Sequence, residues 1–319
     1  MSIRVANAPC SWGTIEGFFD STPWHRMLDE LAGSGYRGTE LGDLGYMPTD
    51  PATLRSELVA RGLVMLGGFQ GIPLRRPGIV AERRERLLAV ARLLAAVSDV
   101  SGAGRAPYFI LADETRGDPH RTLVAGRVRP ADALSADEHR IFARNAEEVA
   151  RLVLDETGLR LLYHHHCAAF VETPDEIERF LGATDPDLVG LVFDTGHYTY
   201  GTAEPDLPPA GSPDGAKGSQ ALDGLKRFWG RVPYVHVKDC HPAVAAEARA
   251  KGWGYTEAVG AGVFCELGKG SVDFPGVLAF LKAQGYDDWL TVEQDVLPGM
   301  GTPRASAERN RGALAGLGL

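Results

Sequence analysis

The sequence predicts a single (β/α)₈ barrel over residues 1–319, and three observations predict it. Eight short apolar runs alternate with eight longer amphipathic segments. The length suits one closed barrel, whereas a doubly wound sheet would usually use fewer strands. Polar residues with metal-binding and acid–base chemistry gather where the apolar runs end, and a barrel keeps its chemistry on that side.

The first strand is expected at 3–9 (IRVANAP), followed by a helix over 24–32. The second, at 37–42 (RGTELG), leads to a helix over 50–61, and the third, at 63–69 (LVMLGGF), to a helix over 81–97. The fourth, at 107–113 (PYFILAD), precedes a helix over 135–157, where Ser135 and Glu138 have the spacing of a capping box. The fifth, at 159–166 (LRLLYHHH), precedes a helix over 174–181 that opens with Thr173, Pro174 and Glu176. The sixth is at 189–194 (VGLVFD), with a helix over 219–229. The seventh is at 232–238 (VPYVHVK), with a helix over 274–283. The eighth, at 288–293 (DWLTVE), is followed by a last helix over 303–317. Two long connections, a Gly/Pro-rich insertion at about 202–218 and the segment 240–271, both fall on the strand-to-helix side.

The chain is 44% hydrophobic with a net charge of -9 and no Lys/Arg run. A nucleic-acid or anionic-membrane partner needs a basic footprint, so a small-molecule partner is expected, and a homo-oligomer stays open. The start carries no basic segment followed by a long apolar run, which predicts a cytoplasmic protein. Cys10, Cys167, Cys240 and Cys265 are far apart and form no Cys-x-x-Cys pair. They are expected to be reduced and mostly buried, with no structural zinc site and no disulfide scaffold.

Strand two ends with Glu40, strand five with His164, His165 and His166, and strand six with Asp194 followed by His197. Strand seven ends with His236, Lys238 and Asp239, and strand eight with Glu293 and Asp295. Imidazole and carboxylate together suit Mn²⁺, Co²⁺, Fe²⁺ or Zn²⁺, while oxygen-only sites suit Mg²⁺. Alternation along a strand puts His164 with His166 on one face, His236 with Lys238, and Glu293 with Asp295. Strands five to eight can then each send one ligand to a single ion. A lone strand-end histidine or aspartate is more often a hydrogen-bonded structural group; four adjacent strands ending this way reverse that. His165 points the other way and reads as a packing residue. Lys238 reads as a charged substrate-binding or ion-paired lysine rather than a Schiff-base lysine. Trp12, Glu40 and Asp239 each admit a structural reading beside a functional one, and LGKG at 267–270 reads as a turn because it lacks phosphate-loop spacing.

The strings NAPCSWG, GYRGTELG, LLYHHH, VFDTGHYTYG, VHVKDC, FCELGKGSVDF and VEQD, in that order, resemble the successive motifs of inosose dehydratases within the xylose isomerase-like superfamily of sugar isomerases and epimerases. The resemblance covers nearly the whole chain. It implies a divalent metal, Mn²⁺ or Co²⁺ favoured over Zn²⁺, Fe²⁺ or Mg²⁺, held by His164, Asp194, His236 and Glu293. It implies proton movement beside a carbonyl in a polyol-derived ketone, with loss of water. His197 and His166 are expected to move protons, and Lys238, Glu40, Asp295 and Trp12 to contact substrate. Histidine at position 164, where epimerases carry glutamate, turns the reading toward the dehydratase branch, and the 203–218 insertion is a second departure. The rivals are a ketose 3-epimerase or isomerase, an endonuclease-like phosphodiesterase that would need further metal ligands, and a non-catalytic sugar-sensing barrel.

Overall fold

The computed structural model describes residues 3–13, 22–98, 103–202, 220–296 and 299–319. Eleven strands lie among them: β1 Arg4–Asn7, β2 Gly38–Thr39, β3 Val64–Met65, β4 Gly67–Ile72, β5 Tyr108–Asp113, β6 Leu161–His164, β7 Val189–Asp194, β8 Tyr234–Val237, β9 Asp239–Cys240, β10 Phe264–Cys265 and β11 Trp289–Val292. Nine form one sheet in the order β3-β2-β1-β11-β8-β7-β6-β5-β4, every pair parallel. Its two outermost members, β3 and β4, are halves of one stretch interrupted at Leu66. Leu66 itself donates to Thr39 O and accepts from Tyr108 N–H, each at 2.9 Å, so the sheet closes on itself as an eight-staved barrel.

The helices are α1 Trp24–Gly33, α2 Pro51–Ala60, α3 Ile79–Ala96, α4 Pro119–Val124, α5 Ala136–Thr157, α6 Pro174–Gly182, α7 Thr195–Gly201, α8 Gln220–Phe228, α9 Pro242–Lys251, α10 Tyr255–Gly260, α11 Phe274–Ala283 and α12 Pro303–Gly316. Both predicted capping boxes are present, Ser135 with Glu138 at the start of α5 and Thr173 with Glu176 at the start of α6. Two apolar layers result. Ala6, Leu66, Ile110, Leu162, Val192 and Trp289 fill the barrel floor, while residues such as Leu31, Leu94, Phe142 and Phe180 pack between strands and helices. The floor is full: a Cβ on Gly38 would lie 2.7 Å from Leu66 Cδ1. No helix among the described residues is long and apolar enough to cross a membrane.

Three expectations need adjusting. The second strand pairs only over Gly38–Thr39, continuing as one hydrogen bond from Leu41 N–H to Gly67 O. The third runs on to Ile72. The 240–271 connection is not irregular: it contains α9, α10 and the antiparallel pair of β9 with β10, around an apolar cluster of its own that includes Ala248, Tyr255, Val259 and Phe264. In α9 the buried positions are Ala245 and Ala248, so it lacks the stripe of large aliphatics by which helical periodicity is read. Of the expected insertion, residues 203–218 lie outside the described residues.

Candidate metal centre

Alternation along the strands decides what faces the mouth. Above the floor residues Leu162, Val192, Tyr234 and Trp289, the next inward positions on β6, β7 and β8 are His164, Asp194 and His236, while Glu293 stands two residues beyond Thr291 of β11. One ligand atom from each of these four residues lies within 4.8 Å of the others. His164 Nδ1 and Nε2, Asp194 Oδ2 and His236 Nδ1 are buried without hydrogen-bond partners. His236 Nδ1 lies 3.0 Å from Glu293 Oε1, but off the line of a hydrogen bond. An unpaired buried polar atom costs about 1–3 kcal/mol, so several converging on one point fit a bound cation. Two imidazoles and two carboxylates suit a divalent transition ion and leave room for substrate oxygens.

Each member is held from behind. Asp194 caps α7 by accepting the His197 N–H at Oδ1 (2.7 Å), which leaves Oδ2 for the centre. Its own N–H donates to His165 Nε2 at 3.1 Å, so His165 braces β7 from the outer face, as its orientation predicted. Burial pushes Asp194 up to about 7 against the pull of Lys238, and pushes His164 well below the usual imidazole range. Burial also works against charge on His236, but Glu40 and Glu293 outweigh it and hold the ring up at about 10. Burial opposes charge on Glu293 too, and there His236 and Lys238 win, holding the carboxyl well below its ordinary value.

Beside the centre lies a lysine. Lys238 Nζ is 3.2 Å from His197 Nε2, 3.4 Å from Glu293 Oε2, 3.4 Å from Asp295 Oδ2 and 4.7 Å above the Phe264 ring. Burial disfavours its charge, but Asp295, Glu293 and Asp194 outweigh that and keep the ammonium. His197, depressed first by burial and then by His166 and Lys238, is neutral and takes a proton of the ammonium at Nε2. His166 lies 2.6 Å through Nδ1 from Cys167 O. A carbonyl can only accept, so Nδ1 carries the hydrogen and Nε2 is bare. Burial, then Lys238, push His166 down to about 4, and its ring lies 3.8 Å from that of His197.

Residues 28–315 match the family model described as xylose isomerase-like TIM barrel. The chain belongs to the xylose isomerase-like TIM barrel family. It is 30% identical to an inosose dehydratase of Geobacillus kaustophilus over 307 residues, 96% of this chain and 91% of that protein. Among solved structures, the probable 3-DHS dehydratase AsbF of Bacillus anthracis superposes with a TM-score of 0.69 at 12% identity, covering 98% of this chain and 99% of that one. The IOLI protein, crystallised with a zinc atom, superposes at 0.65 and 12% identity, covering 99% and 98%. At such identities the structures establish the shared fold.

Within this family barrel, two expected substrate contacts have protein partners of their own. Trp12 is fully buried and gives its indole N–H to Glu30 Oε2 at 2.8 Å, so it packs in the outer core and has no donor left for substrate. Glu40 reaches His236: its Oε1 accepts from His236 Nε2 at 2.8 Å and from the Tyr234 hydroxyl at 2.9 Å. Asp239 is structural. Its Oδ1 accepts from Cys240 and Val272 N–H, and its Oδ2 from Gly268 and Gly270 N–H, tying down the LGKG turn.

The sequence reading missed the apolar walls. Phe69 meets His164 edge-on at 6.1 Å, Tyr255 stands 5.8 Å from His166, and Phe264 lies 4.8 Å from His197. A signal existed for Phe264, which opens the FCELGKGSVDF motif that follows the seventh strand.

Proposed function

We propose that the protein is a divalent-metal-dependent lyase that removes water from a cyclic polyol ketone, most like inosose (2-keto-myo-inositol) dehydratase. The convergence of His164, Asp194, His236 and Glu293 within 4.8 Å carries this reading, on a chain 30% identical to an inosose dehydratase over nearly its full length. When bound, the divalent ion supplies a Lewis acid that polarises the substrate ketone and stabilises negative charge on its oxygen. His166 is the base: neutral, with Nδ1–H committed to Cys167 O, it offers Nε2 to the proton beside the carbonyl. Lys238 is the acid. Its ammonium gives a proton to the β-hydroxyl as the C–O bond breaks, and water leaves. His197, 3.2 Å from Lys238 Nζ and with its ring tilted 3.8 Å from that of His166, lies between base and acid and returns the proton. Asp295, ion-paired with Lys238 at 3.4 Å, accepts from a substrate hydroxyl.

Mn²⁺ and Co²⁺ are the favoured ions because they accept an expanded shell with two substrate oxygens, and the zinc atom of the IOLI protein makes Zn²⁺ the third to try. The four buried free thiols fit the reducing cytoplasm. Incubation of chelated and metal-restored protein with 2-keto-myo-inositol and with ketohexoses, read by mass spectrometry, tests the proposal. Loss of one water from the keto-inositol, only with metal, is expected; isomeric ketoses without loss of water would install the 3-epimerase reading instead.

A further inference from the structure

We infer that Glu40 is a positioning residue that fixes His236 as a ligand through Nδ1, and that Tyr234 and Thr291 fix Glu40 in turn. The inference rests on the metal reading above. Glu40 ends the second strand, separated from β8 in the sheet by β1 and β11, and is 4% exposed. Its Oε1 faces two donors, His236 Nε2 at 2.8 Å and the Tyr234 hydroxyl at 2.9 Å. Among the described residues no lysine or arginine forms an ion pair with it, so its charge is met by the imidazole.

The donor order follows from chemistry. A carboxylate only accepts, so Tyr234 gives its hydrogen to Glu40, and the hydroxyl of Thr291, in short contact with the Tyr234 oxygen, must donate to it. Nε2 of His236 carries a hydrogen for the same reason. A metal-bound imidazole keeps one hydrogen, and with that hydrogen on Nε2 the bare nitrogen is Nδ1, the atom left without a partner beside Glu293. Tyr234 is itself immobilised: its ring is in the barrel floor, 4.8 Å from the Arg105 guanidinium and 5.7 Å from the Tyr108 ring. The floor thus sets the direction of a ligand in the mouth.

The test uses the full chain loaded with Zn²⁺, reading the dissociation constant by competition with a chromophoric chelator and the histidine tautomer by ¹⁵N NMR. Glu40→Gln keeps the size and removes the charge, and is expected to weaken zinc binding about 10–100-fold, as loss of an outer-shell carboxylate does. Tyr234→Phe should weaken it less, in the same direction. In the zinc-loaded wild type, His236 should show a protonated Nε2 and a ligated Nδ1. If zinc is ligated by Nε2, or if Glu40→Gln binds zinc as tightly as wild type while changing only KM, the inference is wrong. Should Glu40→Gln not fold, Tyr234→Phe and the wild-type tautomer decide. A wild type that takes up no zinc, Mn²⁺ or Co²⁺ overturns the metal reading and this inference with it.

Discussion

Lys238 Nζ stands 3.2 Å from His197 Nε2 and 3.4 Å from each of Glu293 Oε2 and Asp295 Oδ2. Its ammonium is hydrogen-bonded to one neutral ring and ion-paired with two carboxylates, so the group is charged and held in place beside the centre. Lys238→Met removes the proton and keeps the stem. Turnover should fall by about 10²–10⁴, the usual contribution of a positioned acid, with metal content unchanged. Normal turnover in that variant would remove Lys238 from the chemistry.

Gly196 tests the same lysine from behind. A Cβ there would lie 2.5 Å from Lys238 Cγ, so Gly196→Ala must displace the stem or the start of α7. Overpacking of this kind costs about 1–3 kcal/mol. The expected result is a lower melting temperature with kcat reduced more than tenfold (about 1.4 kcal/mol of barrel-mouth misplacement suffices) and zinc still bound. Unchanged kcat would show that the lysine position is not critical.

The pH dependence of stability has one well-defined contributor on the acid side. Burial raises the Glu266 carboxyl, but hydrogen bonds from Arg309, Lys269 and Ser306 outweigh it and hold the group down at about 2. A carboxyl depressed in the fold stabilises the protein above its ordinary range, and that stability is lost as pH falls from about 4.5 through about 2. Arg309→Ala should therefore lower the melting temperature near pH 7, where the full contribution is lost, and move acid unfolding to higher pH, with the gap between the two proteins closing as pH approaches about 2. Acid titration by circular dichroism reads both, and coincident acid transitions for variant and wild type would refute the assignment.

Much of this site is legible in sequence because its candidate ligands stand at strand ends, where period-two alternation says which side chains share a face. Asp194, His236 and Glu293 each follow an apolar run of strand character, and the inward neighbours of Asp194 and His236, Val192 and Tyr234, are barrel floor residues. His165 is separable from His164 on the same ground. Glu40 is not, because what it touches is His236, 196 residues away along the chain and across two intervening strands of the barrel. Trp12 was misplaced since an aromatic at a strand end looks alike whether it faces the mouth or the helices; a short 3₁₀ turn over Pro9–Trp12 sends it outward. Tyr255 and Phe264 belong to short elements whose small residues carry too little periodicity to be placed.

The choice between His164 and His166 as the ligand of β6 leads to the prediction that discriminates most. The two share a face by alternation, but β6 ends at His164, and beyond it His166 has turned to give Nδ1–H to Cys167 O. Both nitrogens of His164 lack partners and one belongs to the four-atom convergence, whereas the His166 ring lies tilted against His197 at 3.8 Å. Chelation should therefore abolish turnover without unfolding the barrel. Asp194→Ala, Glu293→Ala and His164→Ala should each lose bound metal and activity together, measured by metal analysis of the purified proteins. His166→Ala should keep stoichiometric metal and lose turnover by about 10²–10⁴, as removal of a general base does. Metal lost from His166→Ala and kept in His164→Ala would exchange the two roles. Metal kept with normal turnover in both Asp194→Ala and Glu293→Ala would mean that these strand ends hold no ion.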